Sequence, residues 1–110
     1  MFAGRRVLTV LNPTSGARRG ADLAEELEAD LRGHGASDAV VRVTEGPDDA
    51  PEWSASAAEE GFELVVAGGG DGTVTAVAQG VLRAGADLPV AVLPLGTGNG
   101  LARVLGVPLD

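Results

Sequence analysis

The stretch "VVAGGGDGTVTAVAQG", Val65 to Gly80, decides how this chain is read. An apolar run from Leu64 to Ala67 passes without a spacer into Gly68, Gly69 and Gly70, then Asp71, Gly72 and Thr73. Helical spacing follows from Thr73 to Arg83. A strand that turns at once into a helix leaves amide N–H groups without partners, and the helix dipole adds positive potential there. Glycines at that point let an anion reach the backbone without meeting a side chain. Two tasks fit Asp71, which reads as a buried carboxylate. It caps the helix while the glycines permit a tight turn, or it meets a Mg²⁺ ion, its waters or a substrate hydroxyl, because a bare carboxylate would repel phosphate oxygens.

Working outward, short β-branched runs recur at Val7–Leu11, Val40–Val43, Leu64–Ala67 and Val90–Leu93, nearly continuous as strands buried on both faces are. Between and after them lie segments of helical spacing, Ala21–Leu31, Pro51–Glu60, Thr73–Arg83 and Leu101–Leu105, with Pro108 closing the last and no further strand expected. Alternation of this kind predicts an α/β fold: an open, mostly parallel sheet of about four strands with helices on both faces. Ligands in such sheets collect at the carboxyl ends of the strands. The turns there are "NPTSG", "TEGPDD", "GGGDGT" and "PLGTGNG", all rich in glycine and small polar residues. The opposite connections, "GHGASD" and "EEGFE", read as helix exits capped by glycine.

Composition narrows the chemistry. The 110 residues make one domain, spanning 1–110, with no internal repeat or linker. Cysteine is absent, which removes disulfides and thiolate metal sites and favours a reducing, cytoplasmic setting. The N-terminal apolar run is too short for a signal peptide, and nothing is long enough to span a membrane. A net charge of −8, with eight arginines and no lysine, lacks the footprint of a nucleic-acid binder. The missing lysine also excludes a Walker-type phosphate loop and a protein-kinase site, both of which need one. The dinucleotide fingerprint G-x-G-x-x-G fails, since Thr73 stands at the last glycine counting from Gly68 and Thr75 counting from Gly70.

"NPTSG" at Asn12–Gly16, "GGDGT" at Gly69–Thr73 and "PLGTGN" at Pro94–Asn99, in that order and spacing, resemble the catalytic domain of the diacylglycerol kinase and sphingosine kinase family. The resemblance runs from about Arg6 to Pro108. "GGDGT" alone is shared with NAD kinases and phosphofructokinases; the other two motifs distinguish the lipid-kinase version. The resemblance implies the nucleotide-binding half of a lipid kinase that uses ATP and Mg²⁺ and passes the γ-phosphate to a lipid hydroxyl. It implies nucleotide contacts at Asn12, Pro13, Thr14, Ser15 and Gly16, at Thr44, and at Thr97, Gly98 and Asn99. It makes Gly69, Gly70, Asp71, Gly72 and Thr73 the phosphate loop, with Asp71 the catalytic and metal-side carboxylate.

The chain departs from the family pattern at two places. Val74, Thr75 and Ala76 stand where a residue and then Asn-Glu commonly follow "GGDGT", and Gly100 follows "GTGN" in place of Asp or Ser. The family's second, β-rich domain, which forms the other wall of the cleft and supplies the general base, is expected to be missing from these 110 residues. The chain alone is therefore expected to bind nucleotide weakly and to turn over little, with membrane contact made through other parts and with self-association through uncovered apolar surface. Two other readings are a kinase domain for a small soluble metabolite, like NAD kinase or phosphofructokinase, and a non-catalytic nucleotide-binding module.

Other conspicuous residues have plain explanations. His34 reads as a solvated helix exit, and Asp48 or Asp49 with Pro51 as the start of the second helix. Trp53 reads as padding on that helix's outer face, with adenine stacking as its alternative. Arg18 and Arg19 read as solvated, and Arg103 as either a phosphate contact or an anchor of its helix.

Overall fold

A computed structural model describes residues 2–13, 20–94 and 105–107. The elements run β1 (Arg6–Leu11), α1 (Gly20–Gly33), β2 (Asp38–Val43), α2 (Asp49–Ser56), β3 (Leu64–Gly69), α3 (Asp71–Arg83), β4 (Val90–Pro94) and β5 (Leu105–Val107). They form one sheet in the order β2-β1-β3-β4-β5. β1, β2, β3 and β4 pair in parallel, and β5 is antiparallel to β4.

Alternation along β1 splits the core. Val7 and Leu11 point to one face, where they pack with Leu27 and Leu31 of α1 and with Val66 and Leu93. Leu8 and Val10 point to the other, joining Val65, Ala67 and Val90 beneath Val77 and Val81 of α3 and Ala50 of α2. The central strands are buried throughout: β3 has no exposed position, so its sequence is a continuous apolar run and not an alternating one. The helix exits carry the anticipated glycines, Gly35 at φ +96° and Gly61 at φ +86°, in the left-handed region that side chains disfavour.

Two expectations are corrected. β2 is an edge strand, and only Ala39 in it is fully buried; it begins at Asp38, whose carboxylate meets Arg6 at 3.5 Å and Arg32 at 3.2 Å. An edge position exposes one flank of the strand, which is why charge is tolerated there. Of the helix expected over Leu101–Leu105 only Leu105 lies among the described residues, and it is in β5, where Leu105 and Val107 pair with Val92 and Val90 across the antiparallel register. A short apolar segment of this length cannot be told from a helical turn by spacing alone, and sheet pairing decides it.

Candidate functional site

All three described turns at the carboxyl ends of β1, β2 and β3 lie along one rim, and the backbone fixes their relative height. Leu11 is level with Val43 on one side and Gly68 on the other. One step beyond, Asn12 N–H donates to the Gly68 carbonyl at 2.8 Å and Thr44 N–H donates to the Leu11 carbonyl at 2.9 Å. Asn12 and Pro13, Thr44, and the Gly69–Thr73 loop are thereby brought together, with Asn12, Pro13 and Thr44 half-buried. Thr14, Ser15, Gly16, Thr97, Gly98 and Asn99, together with Arg18, Arg19, Gly100 and Arg103, lie outside the described residues.

The glycines of the loop differ in what requires them. At Gly69, φ is +157°, and a Cβ built there would lie 2.6 Å from Thr73 Oγ1 and 3.3 Å from the Asn12 carbonyl oxygen. Gly68 is similarly crowded, by Leu11 Cδ1 at 3.0 Å. These two let β3 pass close under β1 before α3 begins. Gly70 and Gly72 are different: both are exposed, and a Cβ at either would meet nothing within 4 Å. Neither packing nor a left-handed φ explains them, and Gly72 within the first turn of α3 works against helix stability. Both glycines face open space among the described residues.

Gly70 is the N-cap of α3, with extended backbone and no side-chain cap, so the first amides of the helix receive no help from a neighbouring side chain. Thr73 N–H and Val74 N–H both donate to the Gly70 carbonyl, at 3.1 and 3.2 Å. Among the described residues, the N–H groups of Gly70, Asp71 and Gly72 have no carbonyl partner outside the sheet and helix ladders. The vacant donors are therefore fewer than the whole Gly69–Thr73 run: Thr73 closes the turn, its side chain buried against Gly69. Asp71, which reads as buried in the sequence, is exposed at the first position of α3. Its apolar neighbours belong to the strand and the helix body, whereas the helix start stands clear of both. The carboxylate is favourably placed beside the helix's positive end.

The second turn has its own device, carried by a residue that sequence reading placed only loosely. Asp48 is the N-cap of α2 but makes no side-chain cap bond; instead Asp49 Oδ2 accepts from Glu45 N–H at 2.8 Å and Gly46 N–H at 3.1 Å. This ties the loop after Thr44 to the start of α2. The acidic pair after Gly46-Pro47 was the available signal, since Asp bonds readily to nearby backbone.

Elsewhere, Trp53 turns inward and is half-buried on the second core cluster, with the Arg42 guanidinium 6.0 Å from its ring, so it does not pad an outer face. His34 is exposed at the end of α1, its Nδ1 2.8 Å from the Asp30 carbonyl oxygen. Thr75 is exposed and Ala76 half-buried in the first turns of α3. At the opposite end of the sheet, Glu60 lies below its ordinary range of ionisation. Its hydrogen bond from Arg42 is the largest cause, followed by that from Ser56.

Among the described residues no group of three or more acidic or histidine side chains converges to bind a metal. A single carboxylate beside bare amides suits a hard ion that keeps its waters and takes its remaining ligands from phosphate oxygens, as Mg²⁺ does. Among the described residues no helix is long and apolar enough to cross a membrane.

A mostly parallel α/β sheet with helices on both faces and a glycine-lined helix start at its carboxyl rim defines an α/β domain of the doubly wound type. Residues 6–110 match the diacylglycerol kinase catalytic domain, and the chain belongs to that family. It is 45% identical over 71 residues to the "Probable lipid kinase YegS-like" of Pseudomonas aeruginosa (strain UCBPP-PA14), covering 64% of this chain and 24% of that protein. With the protein of the same name from Enterobacter sp. (strain 638) it shares 39% identity over 103 residues, 92% of this chain and 33% of that protein. The chain thus spans about a quarter to a third of the length of these relatives.

Proposed function

We propose that this chain is the nucleotide-binding part of a lipid kinase, gripping the phosphates of ATP at the Gly69–Thr73 loop. The observation that carries this reading is the pair Gly70 and Gly72, bare and open where nothing among the described residues requires glycine, beside amides with no carbonyl partner there. The amides of Gly70, Asp71 and Gly72 would face phosphate oxygens, with the α3 dipole adding to their attraction. This local grip needs no net positive charge, which the chain lacks. Asn12, Pro13 and Thr44 border the same space and would contact the rest of the nucleotide, as would Thr14, Ser15, Gly16, Thr97, Gly98 and Asn99 by their motif positions.

Mg²⁺ fits Asp71 through water or directly, and when bound it neutralises charge on the phosphates undergoing transfer. The chemistry is attack of a lipid hydroxyl oxygen on the γ-phosphorus as the bond to the β–γ bridging oxygen breaks. The hydroxyl proton passes to a base that we place outside these residues. The chain's own part is to hold and orient the donor. Being named lipid kinases, the relatives favour a lipid acceptor over a soluble metabolite.

Titrating Mg-ATP into the chain while following backbone amide resonances tests this. Saturable shifts at Gly70, Asp71 and Gly72 are expected, reduced in Asp71→Asn when Mg²⁺ is present. No shift up to millimolar nucleotide would overturn the assignment. The acceptor is tested in the protein that carries this chain, where phosphate transfer to detergent-dispersed diacylglycerol and not to soluble alcohols is expected.

A further inference from the structure

The last glycine of the opening stretch, Gly80, lies away from the rim and has a different neighbour. It is buried in the body of α3, which packs principally against α2. A Cβ at residue 80 would collide with the carbonyl oxygen of Pro51 and lie 2.9 Å from Ser54 Cβ. Ser54 is fully buried and its hydroxyl has no hydrogen-bond partner, so this position is occupied by a small residue at the cost of an orphaned polar group. The two helices cross at backbone contact, and only small residues permit it.

α3 is one unbroken helix from Asp71 to Arg83, closely pinned at two places. Its N-terminal end is held by the approach of Thr73 to Gly69, and its body by Gly80 against Pro51. Pro51 belongs to the first turn of α2, whose start is fastened to the loop after Thr44 by Asp49. A rigid helix transmits a displacement at one point to its end, and packed interiors shift rather than absorb added volume.

From this we infer that Gly80 is a positioning residue for the phosphate loop: its contact with Pro51 and Ser54 sets where the Gly70, Asp71 and Gly72 amides stand. This rests on the reading of that loop as the nucleotide site, but its structural half is testable without ligand. A methyl group at residue 80 must push α3 from α2 by on the order of 1 Å, a misplacement that can cost about a hundredfold at a reacting centre.

The test compares amide resonances of the 110-residue chain and its Gly80→Ala variant, first alone and then with Mg-ATP. In the absence of nucleotide, Gly80→Ala is expected to shift the amides of Gly70, Asp71 and Gly72, and then to weaken Mg-ATP binding about tenfold or more. Ser54→Ala keeps the Cβ contact and is expected to leave both readouts unchanged. If Gly80→Ala does not fold, Ser54→Thr adds bulk to the same crossing from the α2 side and is expected to produce the same loop shifts. Shifts confined to the crossing, with the loop amides unmoved in a folded variant, would overturn the inference. Loop shifts without nucleotide, together with no nucleotide response in the unaltered chain, would retain the mechanical coupling, remove its link to phosphate and count against the proposed function instead.

Discussion

Thr73 folds back onto Gly69 so closely that a Cβ on residue 69 would sit 2.6 Å from its hydroxyl and 3.0 Å from its Cβ. The contact closes the turn between β3 and α3 and leaves the donors one residue further along facing outward. Alanine at 69 meets both this clash and a φ of +157°. Gly69→Ala is expected to destabilise the fold by about 1–3 kcal/mol, as strained backbone positions do, in urea unfolding followed by circular dichroism. It is also expected to abolish the Mg-ATP response of the loop amides.

Gly72 should behave in the opposite sense. A Cβ there meets nothing within 4 Å and its backbone is helical, so Gly72→Ala removes a poor helix former from the first turn of α3. Stability is expected to rise by up to about 1 kcal/mol. Nucleotide binding should nonetheless fall, because the methyl group enters the space the phosphates would use. A variant that gains stability and keeps full affinity would contradict the role given to this glycine.

Thr9, in the middle of β1, is buried and its hydroxyl has no hydrogen-bond partner among the described residues. Valine has nearly the same shape without the orphaned oxygen. Thr9→Val is expected to stabilise the chain by about 1 kcal/mol in thermal unfolding, with no effect on the rim.

Glu60 gives the fold an acid-sensitive contact. Its pKa is lowered from the ordinary value of 4.5, with the Arg42 hydrogen bond as the largest cause, then Ser56. A carboxylate held low when folded binds fewer protons than in the unfolded chain, so its stabilising effect is present above pH 4.5 and is lost as pH falls through the lowered value. The effect is small, since the pair is partly exposed with side chains at 31% and 40%. Unfolding midpoints measured from pH 6 down to about pH 3 should show a shallower acid limb in Glu60→Gln than in the unaltered chain.

Much of this was legible without coordinates. Continuous apolar runs mark strands buried on both faces, and the glycine cluster directly after the third marks a βα turn whatever surrounds it. That is why the parallel sheet, the rim and the Gly69–Thr73 loop could be read from residue order. β2 and β5 were less legible because their environment, an exposed flank and a chance to pair with β4, is set by segments distant in the chain.

The sequence by itself determined which chemistry the Gly69–Thr73 loop can offer: bare amides, one carboxylate, no lysine and no thiolate, all local properties of residue type. Tertiary structure alone decided which glycine serves which purpose. Gly69 yields to Thr73, Gly80 yields to Pro51 and Ser54, and Gly70 and Gly72 yield to nothing among the described residues. The reason is that a missing side chain looks the same in sequence whether its space is filled by a neighbouring element or left open, and only the packed neighbours distinguish the two.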